Sequence, residues 1–163
     1  MTTIQVGDII PDFSLKDQNG NNFNISDIRG KKKLVLFFYP RDFSHNCTKE
    51  ACYFRDLAKV FDDVGAVVIG ISGQSVESHK KFAGDFHLTY PLLSDEGNRL
   101  RNLLGVPSTF FGMVPGRVTY VADINGRVAH IFNSHTQPER HADEALRICL
   151  LLKKSDMEVN KNG

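Results

Sequence analysis

Two nearly unbroken apolar runs, LVLFFY at 34–39 and AVVIGIS at 66–72, constrain this chain more than any other feature. An apolar run that does not alternate with polar residues suits a strand buried on both faces. Two such strands need layers of chain above and below them, and the flanking stretches supply those layers. Residues 47–64 have helical patterning stopped by Gly65, and residues 75–86 and 95–105 read as further helices around a short apolar piece at Leu92 and Leu93. Arg117–Asp123 and Arg127–Asn133 flank an Asn125-Gly126 turn as paired strands, and Pro138 opens an amphipathic helix expected to end near Lys154. Earlier, Asn19-Gly20 lies between FSL and NFNI, a hairpin signal. This order predicts an α/β protein: a three-layer α/β/α sandwich with a mixed central sheet and an N-terminal β-hairpin. A chain of 163 residues fits one domain, assigned here to residues 1–155, with 156–163 as a polar, frayed tail.

A domain of this size buries enough surface to need no disulfide staples. Twenty basic residues stand against nineteen acidic ones, spread along the chain for a net charge of +1, which leaves no footprint for nucleic acid or an anionic membrane. The one basic run, Lys31–Lys33, is expected to solvate the turn before the first apolar strand. No apolar run approaches the ~20 residues that span a bilayer, and MTTIQVGDIIPDF lacks the basic patch and apolar core of a secretory signal. An odd cysteine count argues against a secreted disulfide framework. The expected compartment is therefore a reducing one, the cytoplasm; a plastid protein whose transit peptide had been removed would look the same.

Two of the three cysteines, Cys47 and Cys52, fall in YPRDFSHNCTKEAC, directly after the first strand. With a helix beginning near Ser44 or Cys47, positions 47, 51, 54, 58 and 61 (Cys, Ala, Phe, Ala, Phe) form one apolar stripe. Cys47 then belongs to the buried face. Positions 52, 55, 56, 59 and 63 form the charged face, so Cys52 leans toward solvent. Five residues along a helix turn about 140° and rise about 7.5 Å, whereas a disulfide tolerates Cα separations of roughly 4.4–6.8 Å. A bond between the two cysteines demands that the first turns unwind. Cys47 also sits where unpaired N–H groups and the helix dipole favour an anion, the setting that activates a thiol. Pro40 fixes a backbone angle and removes a competing donor beside it. The residues alone leave two readings open, a small buried hydrophobe and a reactive thiol.

Pro40, Ser44 and Cys47 stand as Pro-x-x-x-(Thr/Ser)-x-x-Cys after a strand ending Phe-Tyr, and this resembles the active-site signature of the peroxiredoxins, thiol peroxidases on a thioredoxin-like fold. Cys52 in CTKEAC narrows the resemblance to the Q-type subfamily, also called bacterioferritin comigratory protein. VGDIIPDFSL at the start, PLLSDEGN at 91–98, GRVTYV around Arg117 and the helix after Pro138 extend it over residues 4 to about 152. The resemblance implies that Cys47 is the peroxidatic cysteine, oxidised by hydrogen peroxide or an organic hydroperoxide to a sulfenic acid. It implies that Ser44 orients peroxide and thiolate, that Arg117 holds the thiolate and the charge shifting across the breaking O–O bond, and that Glu50 orients Arg117. Cys52 would resolve the sulfenic acid as an intramolecular disulfide, which thioredoxin or a similar dithiol would reduce by exchange. No cofactor or metal is implied, and intramolecular resolution favours a monomer, at most a weak dimer. Two departures stand out. His45-Asn46 replaces the family's usual Pro-Gly, and Ser44 replaces the commoner threonine.

Other signals carry less. Cys149 lies among apolar neighbours on the final helix and reads as core. The histidines at 45, 79, 87, 130, 135 and 141 lack metal-ligand spacing, and His45 reads as a solvent-facing bystander. GISGQS matches no nucleotide motif. Phe110-Phe111 is expected to pack simply. Competing readings are a disulfide oxidoreductase, which would ordinarily carry Cys-x-x-Cys, a copper or zinc module built on Cys47, Cys52 and a distant histidine, and a redox-sensing protein needing only slow oxidation.

Overall fold

A computed structural model describes residues 3–109, 112 and 114–162, the side chains of 155–162 excepted. Strands β1 (Ser14–Lys16) and β2 (Asn22–Asn24) form the opening hairpin, with Asp17 Oδ1 accepting the amides of Asn19 and Asn21 in its loop. Next come β3 (Lys33–Phe38), helices α1 (His45–Asp56) and α2 (Ala58–Asp63), β4 (Ala66–Ser72), α3 (Val76–Phe86) and β5 (Leu92–Ser94). Helix α4 (Arg99–Leu104) precedes a small ribbon of β6 (Ser108–Thr109) and β7 (Val114–Pro115), and β8 (Val118–Ala122), β9 (Val128–Asn133) and α5 (Pro138–Asn162) complete the chain.

The main sheet has seven strands in the order β2-β1-β5-β4-β3-β8-β9. β3, β4 and β5 run parallel; β8 is antiparallel to β3, and the hairpin joins β5 antiparallel through Lys16 and Ser94. All six β3 residues are buried because each face has its own core. Val35, Phe37 and Tyr39 pack with Phe54, Phe61, Phe82, Ala142, Ala145 and Cys149. Leu34, Leu36 and Phe38 pack with Ile4, Ile10, Ile25, Leu100 and Leu104. The sheet is thus the middle layer of the expected three-layer sandwich, with α1, α2, α3 and α5 contributing to one face and α4 with the N-terminal segments to the other. Gly70 in β4 is required by close approach: a Cβ there would lie 2.8 Å from both Leu92 Cδ2 and the Phe37 ring.

Several boundaries differ from expectation. The helix predicted over 47–64 begins at His45, capped by Ser44, and is divided at Leu57, whose φ −97° and ψ 3° lie outside helical values. The helix predicted over 95–105 is a 3₁₀ turn (Glu96–Asn98) followed by α4, because Gly97 adopts φ 77°. Helix α5 continues to Asn162, past the predicted end at Lys154 and through most of the expected tail. Lys33 does not solvate a turn; it belongs to β3, is buried, and donates from Nζ to the Val64 carbonyl at 3.2 Å. Phe110 and Phe111 lie outside the described residues.

Candidate active site

The carboxyl end of β3 delivers Tyr39 and Pro40 to a loop that turns into α1. Ser44 is the N-cap: its extended backbone frees the side chain to accept the Cys47 amide at 3.4 Å while its hydroxyl donates to the Arg41 carbonyl at 3.3 Å. Cys47 is fully buried in the first turn of α1, on the face with Ala51 and Phe54. Cys52 lies half-buried farther along the same helix, and both thiols are free. Partial burial raises the Cys52 thiol, Arg55 opposes this, and Asp56 adds to it. Helix α1 is intact across both cysteines, so the separation expected from helical geometry holds.

Arg117 comes from the residue before β8, the neighbour of β3 in the sheet, and this pairing carries a residue 70 positions from Cys47 to its sulfur. Its side chain is only 2% exposed; Nη1 donates to Glu50 Oε1 at 2.8 Å and Nε to the His135 carbonyl at 3.2 Å, and Cys47 lies within its electrostatic reach. Burial alone would lower the Arg117 pKa, but the charges of Glu50 and Cys47 and the hydrogen bond to Glu50 raise it. Glu50 is fully buried. Desolvation pushes its carboxyl up to about 8 against the pull of Arg117. One cation therefore faces two groups that can each carry a negative charge.

Behind Glu50 lies His141 of α5, with Nδ1 3.5 Å from Glu50 Oε2. His141 Nε2 faces the Ser134 carbonyl at 2.7 Å and Nδ1 faces Thr119 Oγ1 at 2.8 Å. A neutral ring with hydrogen on Nε2 satisfies both, Thr119 donating to Nδ1. Glu50 Oε2 is then left without a hydrogen-bond partner among the described residues. Burial lowers His141 to about 4, and the Arg117 charge works in the same direction against the Ser134 hydrogen bond.

Pro40, Arg41, Ser44, Pro115, Arg117 and His135 line an open cavity of about 500 Å³ over this cluster. The six residues singled out in the sequence, Pro40, Ser44, Cys47, Glu50, Cys52 and Arg117, thus lie in the loop, on α1 or just before β8; Pro40, Ser44 and Arg117 line the cavity, Cys47 and Glu50 are buried on α1, and Cys52 stands apart on the helix's half-exposed side. His45 is exposed. Cys149 is buried, and desolvation pushes its thiol up to about 11 although Lys33 opposes it. Thr119, Ser134 and His141 went unnoticed in the sequence as site neighbours, since single polar residues in a strand, a loop and a helix give no local signal. Among the described residues no three His, Cys, Asp or Glu side chains form a group able to hold a metal ion, and no helix is long and apolar enough to cross a membrane.

A cysteine at a helix N-terminus, in the field of a buried arginine on a thioredoxin-like sheet, defines the class: a thiol peroxidase. The model of the AhpC/TSA family matches residues 6–131. The chain is 50% identical over 144 residues to the chloroplastic peroxiredoxin Q of Gentiana triflora, covering 88% of this chain and 66% of that protein. It is 50% identical over 147 residues to the chloroplastic peroxiredoxin Q of Sedum lineare, covering 90% and 78%. The chain therefore spans about two thirds to three quarters of the length of these plant relatives. Among solved structures, the peroxidoxin BcpB of Mycobacterium tuberculosis superposes with a TM-score of 0.84 at 38% identity, over 91% of this chain and 98% of that one. The bacterioferritin comigratory protein of Xanthomonas campestris, described for its alkyl peroxide reduction activity, superposes with a TM-score of 0.77 at 26% identity, over 86% and 92%. The chain belongs to the AhpC/TSA family of peroxiredoxins, within its Q-type branch.

Proposed function

We propose that Cys47 is the peroxidatic cysteine of a peroxidase for hydrogen peroxide and organic hydroperoxides, and that Cys52 resolves it within the same chain. The carrying observation is the buried Arg117, held by Glu50 and within electrostatic reach of Cys47 at the start of α1. The Cys47 thiolate attacks the terminal peroxide oxygen; the O–O bond breaks, the sulfur becomes sulfenic acid, and the leaving oxygen takes a proton to depart as water or an alcohol. Arg117 faces the charge as it moves from sulfur to leaving oxygen, and the Ser44 hydroxyl turns from the Arg41 carbonyl to hold peroxide or thiolate. Pro40 limits the loop that brings Ser44 to the start of α1. Glu50 aims Arg117. Its raised proton affinity lets it stand neutral while the sulfur carries the negative charge, so one guanidinium balances one anion at a time.

Resolution follows when the Cys52 thiol attacks the sulfenic sulfur, forming the disulfide and releasing water. Both cysteines lie on an intact helix, so the turns from His45 onward unwind first. The C-terminal half of α1 has its own ties, Tyr53 Oη to Asp143 Oδ1 at 2.6 Å and Arg55 Nη1 to the Phe86 carbonyl at 2.7 Å, which favour unwinding from the N-terminal end. A thioredoxin-type dithiol then reduces the disulfide through a mixed disulfide. Intrachain resolution needs no second copy, and a monomer or weak dimer suffices. The chloroplastic relatives support the plastid side of the expected location. The organic substrates are in keeping with the alkyl peroxide reduction described for the Xanthomonas protein. One equivalent of peroxide added to reduced protein, with thiol counting and mass mapping, tests the reading: a Cys47–Cys52 linkage supports it, and an interchain or Cys149 product refutes it.

A further inference from the structure

A second buried polar cluster lies under the loop between β3 and α1, centred on Asp42, which is 4% exposed. Tyr39 Oη donates to Asp42 Oδ1 at 2.7 Å and Ser78 Oγ donates to Oδ2 at 2.8 Å. His79 Nδ1 lies 2.7 Å from the same Oδ2, and its Nε2 lies 3.1 Å from the Leu93 carbonyl. Both ring nitrogens thus face acceptors, and the ring bridges Asp42 to the β5 backbone. The Asp42 amide donates to Gln74 Oε1 at 3.1 Å, which also accepts from Ser72 Oγ at 2.6 Å. One loop residue is thereby tied to the end of β3, to the segment after β4, to α3 and, through His79, to β5.

Its neighbour Phe43 adopts φ 68°, a left-handed conformation that a bulky side chain avoids. That turn is held between two fixed points, the Asp42 cluster on one side and the Ser44 cap of α1 on the other. We propose that Asp42 and His79 are a positioning pair for the peroxidase: they hold the 40–46 loop, and with it Ser44 and the first turn of α1, in the form in which Cys47 meets peroxide, and so oppose the unwinding that brings Cys47 to Cys52. Neither side chain acts on substrate; both act through Ser44 and the helix start. This inference rests on the peroxidase reading above.

An anchor of this kind gives two effects of opposite sign when it is cut. Peroxide attack slows because the attack-ready loop is less populated. Disulfide formation from the sulfenic acid quickens because the unwound form is more populated. General destabilisation slows both. The test uses full-length Asp42→Asn, His79→Gln and the milder Ser78→Ala, which removes one hydroxyl donor and remains informative if the first two fold poorly. Single-turnover mixing with hydrogen peroxide, with alkylation quenching and mass analysis, reads the two steps separately, and hydrogen exchange reads the amides of 45–48 against those of 53–56. Asp42→Asn and His79→Gln are expected to slow attack about tenfold, the scale of one lost charge-assisted hydrogen bond, while raising the resolution rate and the exchange of 45–48 alone. Ser78→Ala should move all three in the same directions by less. Unchanged rates and exchange in folded variants, or parallel slowing of both steps with uniform exchange along α1, overturn the proposal. If the parent does not oxidise Cys47 with peroxide, the peroxidase reading fails, and the exchange comparison still decides whether the pair anchors the helix start.

Discussion

Replacing Glu50 by Gln separates an ionised salt-bridge partner from a carboxyl that burial keeps protonated. Glu50 is fully buried and bonded to Arg117 at 2.8 Å; desolvation outweighs that cation and carries its pKa from 4.5 to about 8. The folded state then binds more protons than the unfolded state between those values, so stability falls as pH rises through the window and the loss is complete above it. Each pH unit inside the window is worth up to about 1.4 kcal/mol. Gln has the shape of the protonated acid and titrates nowhere. Equal to the parent where Glu50 is protonated in both states, Glu50→Gln should therefore already lead it by about 3 kcal/mol at pH 6.5 and gain about 2 kcal/mol more by pH 8. Urea denaturation of both reduced proteins at pH 6.5, 7, 7.5 and 8 checks this. A gap that stays constant across the series, with the Gln variant weaker by about 3–5 kcal/mol throughout, would mean an ionised Glu50 whose loss strands Arg117, and the reasoning would be refuted.

Arg117→Met removes the cation at the sulfur and should slow single-turnover oxidation of Cys47 by roughly 10²-fold or more; an unchanged rate would remove Arg117 from the chemistry. Cys52→Ser should leave the first oxidation intact but let the sulfenic acid persist and advance to sulfinic acid with excess peroxide, as mass spectrometry would record. His141 has a folded pKa of about 4 against 6.5, so its contribution to stability is full above pH 6.5 and is lost as pH falls toward 4, up to about 3 kcal/mol. His141→Asn should flatten that acid limb in urea titrations between pH 4 and 7. Gly116 leaves no room for a side chain, since a Cβ would lie 2.2 Å from the Pro107 carbonyl oxygen. Gly116→Ala should cost about 1–3 kcal/mol in denaturation and displace Arg117 enough to slow peroxidation.

Much of this architecture was legible residue by residue. The run at 34–39 announced a strand covered on both sides, and the Cys-Ala-Phe spacing placed Cys47 inward, because burial periodicity is a local property of the chain. The divided helix at Leu57 and the kink at Gly97 were missed, since the hydrophobic pattern runs on through both. Lys33 was misread for a related reason: its charge suggests solvent, but its Nζ reaches the Val64 carbonyl from within the sheet.

The sequence by itself determined the strand-loop-helix that presents Cys47, its cap, and the five-residue spacing to Cys52, all set within one continuous stretch by backbone geometry. Only the tertiary structure decided the electrostatics around that sulfur. The β3–β8 pairing brings in Arg117, α5 closes the site with His141, and α3 meets Asp42 with His79. Charges interact through space, so partners far apart in the chain become neighbours only once the sheet has formed.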